Sequence, residues 1–504
     1  MKNMIHKTYL LLIFIILISI TIITYGCFNY LGTTNNNYYG IMGGYNLENQ
    51  NTLDFSNSKF TNKLYIPKIL TPITESGGIE KYSIKVQSGE TEFFNGIKTR
   101  TLGYNGSFLG PTIRVKEGQK ISFDIKNNLD QPTTVHWHGV HTPSEYDGGV
   151  FNPIKPGETF KPNFEIKQVA GTFWYHPHSM GNTATQAYSG LAGLFIIDDD
   201  KSEKLEIPKN YGVDDIPLVI QDKNFDNNGQ LVYSNNMHSV INGMYGNTIM
   251  VNGSLTPYQE VTKGVIRFRL LNGSNARTYN FKLSNNQEFY EIATDGGFVE
   301  KPVKLNSIRL SPGERAEILI DFSNYKIGDN VVLQSNFDEN LNIIEFRVTK
   351  EANKKYIIPK SLVSIDWLDP NSSIKERTFN LQTMERGMMG NLLTINGKNM
   401  YINRVDEKIK LGSTEIWTIK NIPGFGMNVG HSFHIHDMQF QILSRNGNPP
   451  DDSEKGWKDT VFLNVGDNVK IIIKFTDYTG KYMYHCHILE HEDNGMMGVF
   501  EIIK

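Results

Sequence analysis

The chain has 504 residues, with 50 basic and 53 acidic side chains and a formal net charge of −3. At roughly 150 residues per folding unit, that length points to about three units, and the near balance of charge excludes a basic field that would draw the chain to nucleic acid or an anionic membrane surface. Two cysteines, Cys27 and Cys486, are too few for a disulfide framework or a cysteine-rich zinc site.

Lys2 and Lys7 precede an unbroken apolar run from Tyr9 to Ile23, and no charged residue occurs between Lys7 and Glu48. Residues 1–26 therefore read as a signal peptide or, because the run approaches the ~18 residues that cross a bilayer, as an uncleaved anchor; both export the remainder of the chain. Cys27 comes after Thr24-Tyr25-Gly26, which resembles a bacterial lipoprotein cleavage box in its glycine and departs from it where Leu and a small residue are usual. A lipid on Cys27 and a cysteine that merely lies near a cleavage site both stay open. Residues 27–60, rich in Asn, Tyr and Gly, read as a flexible tether with little to bury.

From Leu64 onward, short β-branched and aromatic runs alternate with Gly, Pro, Asn and Asp turns at roughly ten-residue spacing, the pattern of an all-β sandwich or barrel. The order strand, turn, strand, motif then repeats at domain scale. GPTIRVKEGQKISFDIKNNLDQPTTVHWHG runs from Gly110 to Gly139, a second copy from Val251 to Leu283, and a third from Ile395 through EIWTIKN to HSFHIH. The later half of each unit recurs as IKPGETFKPNFEI before WYHPH, LSPGERAEILIDF before VVLQSN, and LNVGDNVKIIIKF before YMYHCHI. These repeats give units at 61–200, 201–355 and 356–504. The middle unit has Tyr279-Asn280-Phe281-Lys282 where its neighbours have histidines, so it reads as a spacer between two units whose motifs converge on one site.

Of the 13 histidines, ten fall in four motifs: His136-Trp-His138, His176-Pro-His178, His431-Ser-Phe-His434-Ile-His436, and His485-Cys486-His487 with His491. His6, His141 and His238 need no special role, and His141 reads as a surface or loop neighbour of the first motif. Imidazole alone does not choose among copper, zinc, iron and nickel. The fourth motif does, because side chains alternate along a strand, so His485 and His487 face one way and Cys486 the other. A thiolate from Cys486 with His431, His491 and a weak axial Met496 is the donor set of a blue-copper electron-transfer site, whereas structural zinc takes four strong ligands and no thioether.

In this order, and across the region from Leu64 to Lys504, HxHG, HxH, HxxHxH and HCHxxxHxxxxM resemble the four copper motifs of multicopper oxidases. The likeness is to the bacterial three-domain laccase and cuprous-oxidase group, through GWKDTV at Gly456 to Val461 and HCHILEHEDNGMM at His485 to Met497. The resemblance implies an all-β fold of three consecutive cupredoxin-like Greek-key domains, the second without copper ligands, and four copper ions. The type 1 copper takes His431, Cys486, His491 and Met496; the type 2 copper takes His136 and His434; the type 3 pair takes His138, His176, His178, His436, His485 and His487. It implies an oxidase that couples four one-electron oxidations of a small-molecule or metal-ion reductant to reduction of dioxygen to water. Asp147 and Glu492 match acids that would relay protons, against the plainer reading of a loop carboxylate and a solvated charge. Asp459 either orients a type 1 histidine or closes a turn.

The sequence departs from the family at Ser432, where Pro is usual and whose backbone N–H and φ are therefore free, and at Asp437, where Gly is frequent. Cuprous oxidases of this group carry a long methionine-rich insertion, with an Asp and a Met before the third motif; here Met427 and Val429 stand there, and Met384, Met388, Met389 and Met400 are the remaining hints of a Cu(I) site. That favours a laccase-like specificity for phenols or aromatic amines, with low-valent metal ions and a specialised cuprous oxidase as alternatives. A reading of another class is a non-catalytic envelope protein of cell division on the same fold, which complete copper ligands argue against. A two-domain copper nitrite reductase conflicts with the ligand-free middle unit. The expected partners are dioxygen and the reductant, with no nucleic acid, a membrane met only through the N-terminal anchor or a lipid on Cys27, and an exported, monomeric protein.

Overall fold

In the strand Lys120–Asn127, Ile121, Phe123 and Ile125 are buried while the residues between them lie partly open, so the period-2 pattern read from the sequence becomes one apolar face. The computed structural model describes Leu53 and residues 59–383, 392–424 and 429–504. The apolar N-terminal run, Cys27, Met384, Met388, Met389 and Met427 lie outside the described residues.

Six sheets, paired two by two, build three cupredoxin-like sandwiches. In the first, the four-stranded sheet that ends on His136–His138 faces the sheet around Glu80–Phe94 and Lys120–Asn127, and both close on a core that includes Trp137, Phe123 and Phe195. The second packs Asp215–Lys223, Val265–Asn272 and Arg315–Asp321 over a core around Phe268, Phe281 and Phe346. The third packs Ser373–Thr383 and Thr414–Ile422 against Gly480–Cys486, His431–Ile435 and Met497–Ile503 around Trp417, Phe433 and Tyr484. Asn62–Lys63 pair in parallel with Pro257–Lys263, so the chain joins the middle unit's sheet before it builds the first unit.

The repeat read from sequence has a common register. In every unit the motif strand pairs antiparallel with the strand of the unit's later half: His136–His138 with Gly171–His176, Tyr279–Leu283 with Asn330–Ser335, and His431–Ile435 with Gly480–Cys486. The middle copy fills this ladder with Phe281 opposite Ser335, and the buried Tyr279 and Phe281 join its apolar core.

Charged side chains are buried where the first two units meet. Arg269 is 1% exposed, grips both oxygens of Asp215 at 2.8 and 2.9 Å, and reaches Glu317 and the first unit's Thr172 at 2.8 and 2.7 Å. Removing one partner of such a pair strands an uncompensated charge away from water. Arg269→Ala is expected to cost ~3–5 kcal/mol in urea unfolding, and a loss under about 1 kcal/mol would show that water replaces the guanidinium.

His141 is the loop neighbour of the first motif that the sequence suggests, but it is not at the surface: it is 8% exposed and ties the first unit to the third. Its Nδ1 lies 2.7 Å from Asp437 and its Nε2 3.2 Å from Asp477, the Tyr478 ring packs against it, and Lys167 pairs with Asp477 at 2.8 Å. Asp437 has φ +65°, which explains why glycine suits this position and why aspartate tolerates it. Burial alone would lower the His141 pKa, but Asp437 and Asp477 outweigh it and raise it. A raised folded-state pKa contributes stability that is complete below the unfolded value and is lost as pH rises through the folded value. The stability lost in His141→Gln is therefore expected to be larger at about pH 6 than at about pH 9, and equal losses at both would refute the charged clamp.

Candidate metal centre

The ladders bring the motifs together. His136 stands opposite His176 in the first unit, and His434 opposite His485 in the third, with Phe433 opposite Cys486. The two histidine-bearing faces meet, and all eight imidazoles of His136, His138, His176, His178, His434, His436, His485 and His487 are fully buried. One nitrogen each from His138, His176 and His487 lies within 4.8 Å of the other two, and the same holds for His178, His436 and His485 and for His136, His138 and His434. Across the seam, His487 Nε2 is 3.1 Å from His138 Nδ1 and His485 Nε2 is 3.2 Å from His178 Nε2; within the third unit His485 Nε2 is also 3.2 Å from His436 Nε2.

Most of these rings are fixed by the nitrogen that faces away from the cluster. His136 Nδ1 donates to the Asp147 carbonyl at 2.9 Å, His176 Nδ1 to Pro177 at 2.8 Å, His434 Nδ1 to the Asp459 carbonyl at 2.8 Å and His485 Nδ1 to Cys486 at 3.1 Å. His436 Nδ1 donates to Asp147 Oδ2 at 2.9 Å. His138 Nε2 faces Asp459 Oδ1 at 3.1 Å; an ionised carboxylate only accepts, so His138 carries its proton there and turns Nδ1 inward. Asp459 therefore orients histidines of this group, not the type 1 histidine that the sequence suggested. Glu492 is buried with its oxygens 3.4 Å from His178 Nδ1 and His485 Nδ1, so it is not the solvated charge of the plainer reading, and Asp147 spans His136 and His436.

The residues fit bound metal. His136 Nε2, His176 Nε2 and His434 Nε2 are buried without a hydrogen-bond partner among the described residues, a desolvation cost of about 1–3 kcal/mol each unless a ligand answers them. Burial first, and neighbouring imidazoles second, hold His138, His178 and His434 well below the ordinary histidine pKa, while burial leads in bringing His436 to about 4 and His487 to about 3. These rings are neutral at physiological pH, the form that offers a lone pair to a metal.

The other face of the same strand builds a second group. Cys486 Sγ lies 3.5 Å from His431 Nδ1 and 3.4 Å from His491 Nδ1, which are 3.2 Å apart. His491 Nε2 donates to the Ile241 carbonyl at 2.8 Å, and His431 Nε2 faces Thr383 Oγ1 at 3.2 Å. Met496 is fully buried, and its carbonyl accepts from Cys486 N at 3.0 Å. Burial pushes the Cys486 thiol up to about 12, so a thiolate at neutral pH needs a cation beside it.

The structure thus brings eleven of the twelve sequence-predicted donors into two groups, with Asp147 and Glu492 against the larger one, and buries the twelfth, Met496, where its backbone carbonyl meets Cys486 N. Sequence reasoning missed Arg315, whose guanidinium grips both oxygens of Asp459 at 2.7 and 2.6 Å. A signal was present: in the three copies of the turn, the residue two places after glycine is Thr159, Arg315 and Asn468, and only the middle copy has a cation there. Ser432, noted as a departure, donates its hydroxyl to the Pro312 carbonyl at 2.9 Å.

Family profiles described as Multicopper oxidase match residues 85–202, 216–354 and 372–504. The chain is 42% identical over 453 residues to Multicopper oxidase mco of Staphylococcus aureus, covering 90% of this chain and 95% of that protein. A laccase crystal structure from Pediococcus acidilactici superposes with a TM-score of 0.81 at 35% identity, covering 92% of this chain and all of that one. The Cell division protein FtsP of Proteus mirabilis is 33% identical over 87% of this chain and 92% of its own length.

Proposed function

The chain is a copper-dependent oxidoreductase of the multicopper oxidase family, and we propose that it is a laccase-like member carrying four copper ions. It would couple four one-electron oxidations of phenols, aromatic amines or low-valent metal ions to the reduction of dioxygen to water. The observation that carries this reading is the completeness of the donor set: Cys486 grouped with His431 and His491 on one side of a strand, eight convergent imidazoles on the other, and a buried Met496 that we assign as the fourth donor beside the thiol. That completeness also argues against a non-catalytic role in cell division, the process that the FtsP name gives.

Copper bound at these donors would supply one-electron redox chemistry beside Cys486 and dioxygen reduction among the eight imidazoles. Cys486 is covalently joined to His485 and His487, so one residue links the two donor groups. Asp147 holds His436 and His136 in place, and Glu492 sits against His178 and His485; we assign these acids to delivering the protons that water formation consumes. Both type 1 imidazoles are buried, and His491 donates to Ile241 in the helix Met237–Asn242. A reductant would meet the protein over that cover. Met400, the described one of the four methionines that hinted at Cu(I) capture, packs half-buried with Val150, Met483 and Met497, which supports a laccase-like specificity over a dedicated cuprous oxidase. The N-terminal apolar run supports export, and a lipid label on the intact chain would distinguish a lipid on Cys27 from cleavage or anchoring.

Chain matured with copper is expected to be blue and to take up oxygen faster with 2,6-dimethoxyphenol than with Cu(I). A colourless, copper-free product without oxygen uptake would sink the oxidase reading, and faster uptake with Cu(I) would make it a cuprous oxidase. Asp147→Asn is expected to slow reoxidation of the reduced enzyme by dioxygen by about 100-fold or more, as loss of a positioned proton-transfer group does, with the blue absorption intact. Unchanged reoxidation kinetics would remove Asp147 from the mechanism.

A further inference from the structure

One turn is written three times in this chain, as Pro156-Gly157-Glu158-Thr159, Pro312-Gly313-Glu314-Arg315 and Val465-Gly466-Asp467-Asn468. The three glycines share a left-handed backbone, with φ of +79°, +86° and +86°. Their surroundings differ. A Cβ on Gly157 or Gly466 would meet nothing within 4 Å, whereas one on Gly313 would lie 3.0 Å from His487 Cγ and 3.1 Å from His138 Cε1. The middle unit, which offers no donor, lays this turn directly against two ligand rings.

Arg315 ends the turn at a junction of all three units and is 1% exposed. Its Nε donates to the Thr172 carbonyl of the first unit at 3.0 Å, one terminal nitrogen donates to the Asp295 carbonyl at 2.8 Å, and its fork closes on the Asp459 carboxylate of the third. Asp459 in turn receives His138 Nε2 on its side chain at 3.1 Å and His434 Nδ1 on its carbonyl at 2.8 Å. A planar fork fixes both the position and the tilt of a carboxylate, which a point charge does not. Beside it, the Ser432 hydroxyl lies 2.8 Å from Ser311 Oγ and donates to Pro312, a tie to the same turn that proline at 432 would lack.

We propose that the Ser311–Arg315 turn of the middle unit positions the imidazoles of the eight-histidine site. Arg315, a positioning residue acting through Asp459, sets the tautomer and tilt of His138 and holds the backbone that orients His434. Gly313 sets how closely the turn approaches His138 and His487. This rests on the oxidase reading and adds to it: the second unit is the third wall of the copper site and not a spacer.

The test compares copper-loaded full-length wild type with Arg315→Lys, Asp459→Asn, the double variant, Gly313→Ala and Gly466→Ala, reading copper per chain, blue absorption, the type 2 electron paramagnetic resonance signal and the type 3 absorption. Arg315→Lys keeps the charge and removes the fork. It and Gly313→Ala are expected to retain the blue type 1 absorption, which also reports a folded third unit, while losing or altering the type 2 and type 3 signals and lowering copper per chain. The double variant is expected to be no worse than Asp459→Asn alone, because Arg315 acts through that carboxylate. Gly466→Ala imposes the same backbone strain where no ring is near and is expected to keep every signal. Wild-type type 2 and type 3 signals in both Arg315→Lys and Gly313→Ala would overturn the proposal. So would strictly additive effects of Arg315→Lys and Asp459→Asn, or equal losses in Gly466→Ala and Gly313→Ala. If Arg315→Lys fails to fold, the two glycine variants decide. A wild type that shows no copper signals at all would refute the oxidase reading instead.

Discussion

An imidazole has two ring nitrogens, and a metal can use only one, so a buried histidine ligand needs a fixed acceptor for the other. The architecture of this protein follows from that requirement repeated around two sites. Two of the acceptors are carbonyls within the ligand motifs themselves, Pro177 serving His176 and Cys486 serving His485, and two are carbonyls brought in from other segments, Asp147 serving His136 and Asp459 serving His434. At His176 and His485 the backbone path of the motif thereby sets the orientation of its own ring, whereas His136 and His434 depend on segments 11 and 25 positions away.

The same economy separates the donor groups. Along Gly480–Cys486, Tyr482, Tyr484 and Cys486 face the apolar core of the third unit, while Met483 and His485 face away from it. The thiol is thus desolvated among aromatic side chains, and the imidazoles meet the first unit's histidines across a seam lined by Asp147, Glu492 and Asp459. A one-residue slip in pairing would exchange the two faces, so the ladder His434 opposite His485 is as necessary to the site as the donors are.

The donors were legible in the sequence because each motif is short and its chemistry is local: alternation on a strand separates His485 and His487 from Cys486 without any knowledge of the fold. The repeats made three all-β units legible for the same reason. What stayed hidden depends on distant partners. His138 and Asp459 are 321 positions apart, so GWKDTV suggested only a type 1 histidine or a turn as the role of Asp459 and not the His138 that it meets. Arg315 begins the apolar strand RAEILID, where no neighbour announces an ion pair. The burial of the loop residue His141 stayed hidden because its clamps, Asp437 and Asp477, come from the other end of the chain. The spacer reading of the middle unit failed to anticipate these contacts because it counted donors, and walls are built from backbone, glycine and fixed carboxylates as well.

His178 and His485 touch although they lie 307 positions apart in the sequence, and this separation gives the site a place in time. Synthesis runs from the N-terminus, so a growing chain exposes His136, His138, His176 and His178 long before their counterparts exist, and the only described thiol arrives with the last strands. Neither donor group is complete until residues 485–496 have joined the fold. A complete donor set in the final geometry is therefore a late event in the life of each molecule, and a chain cut short of its last strands would lack both centres.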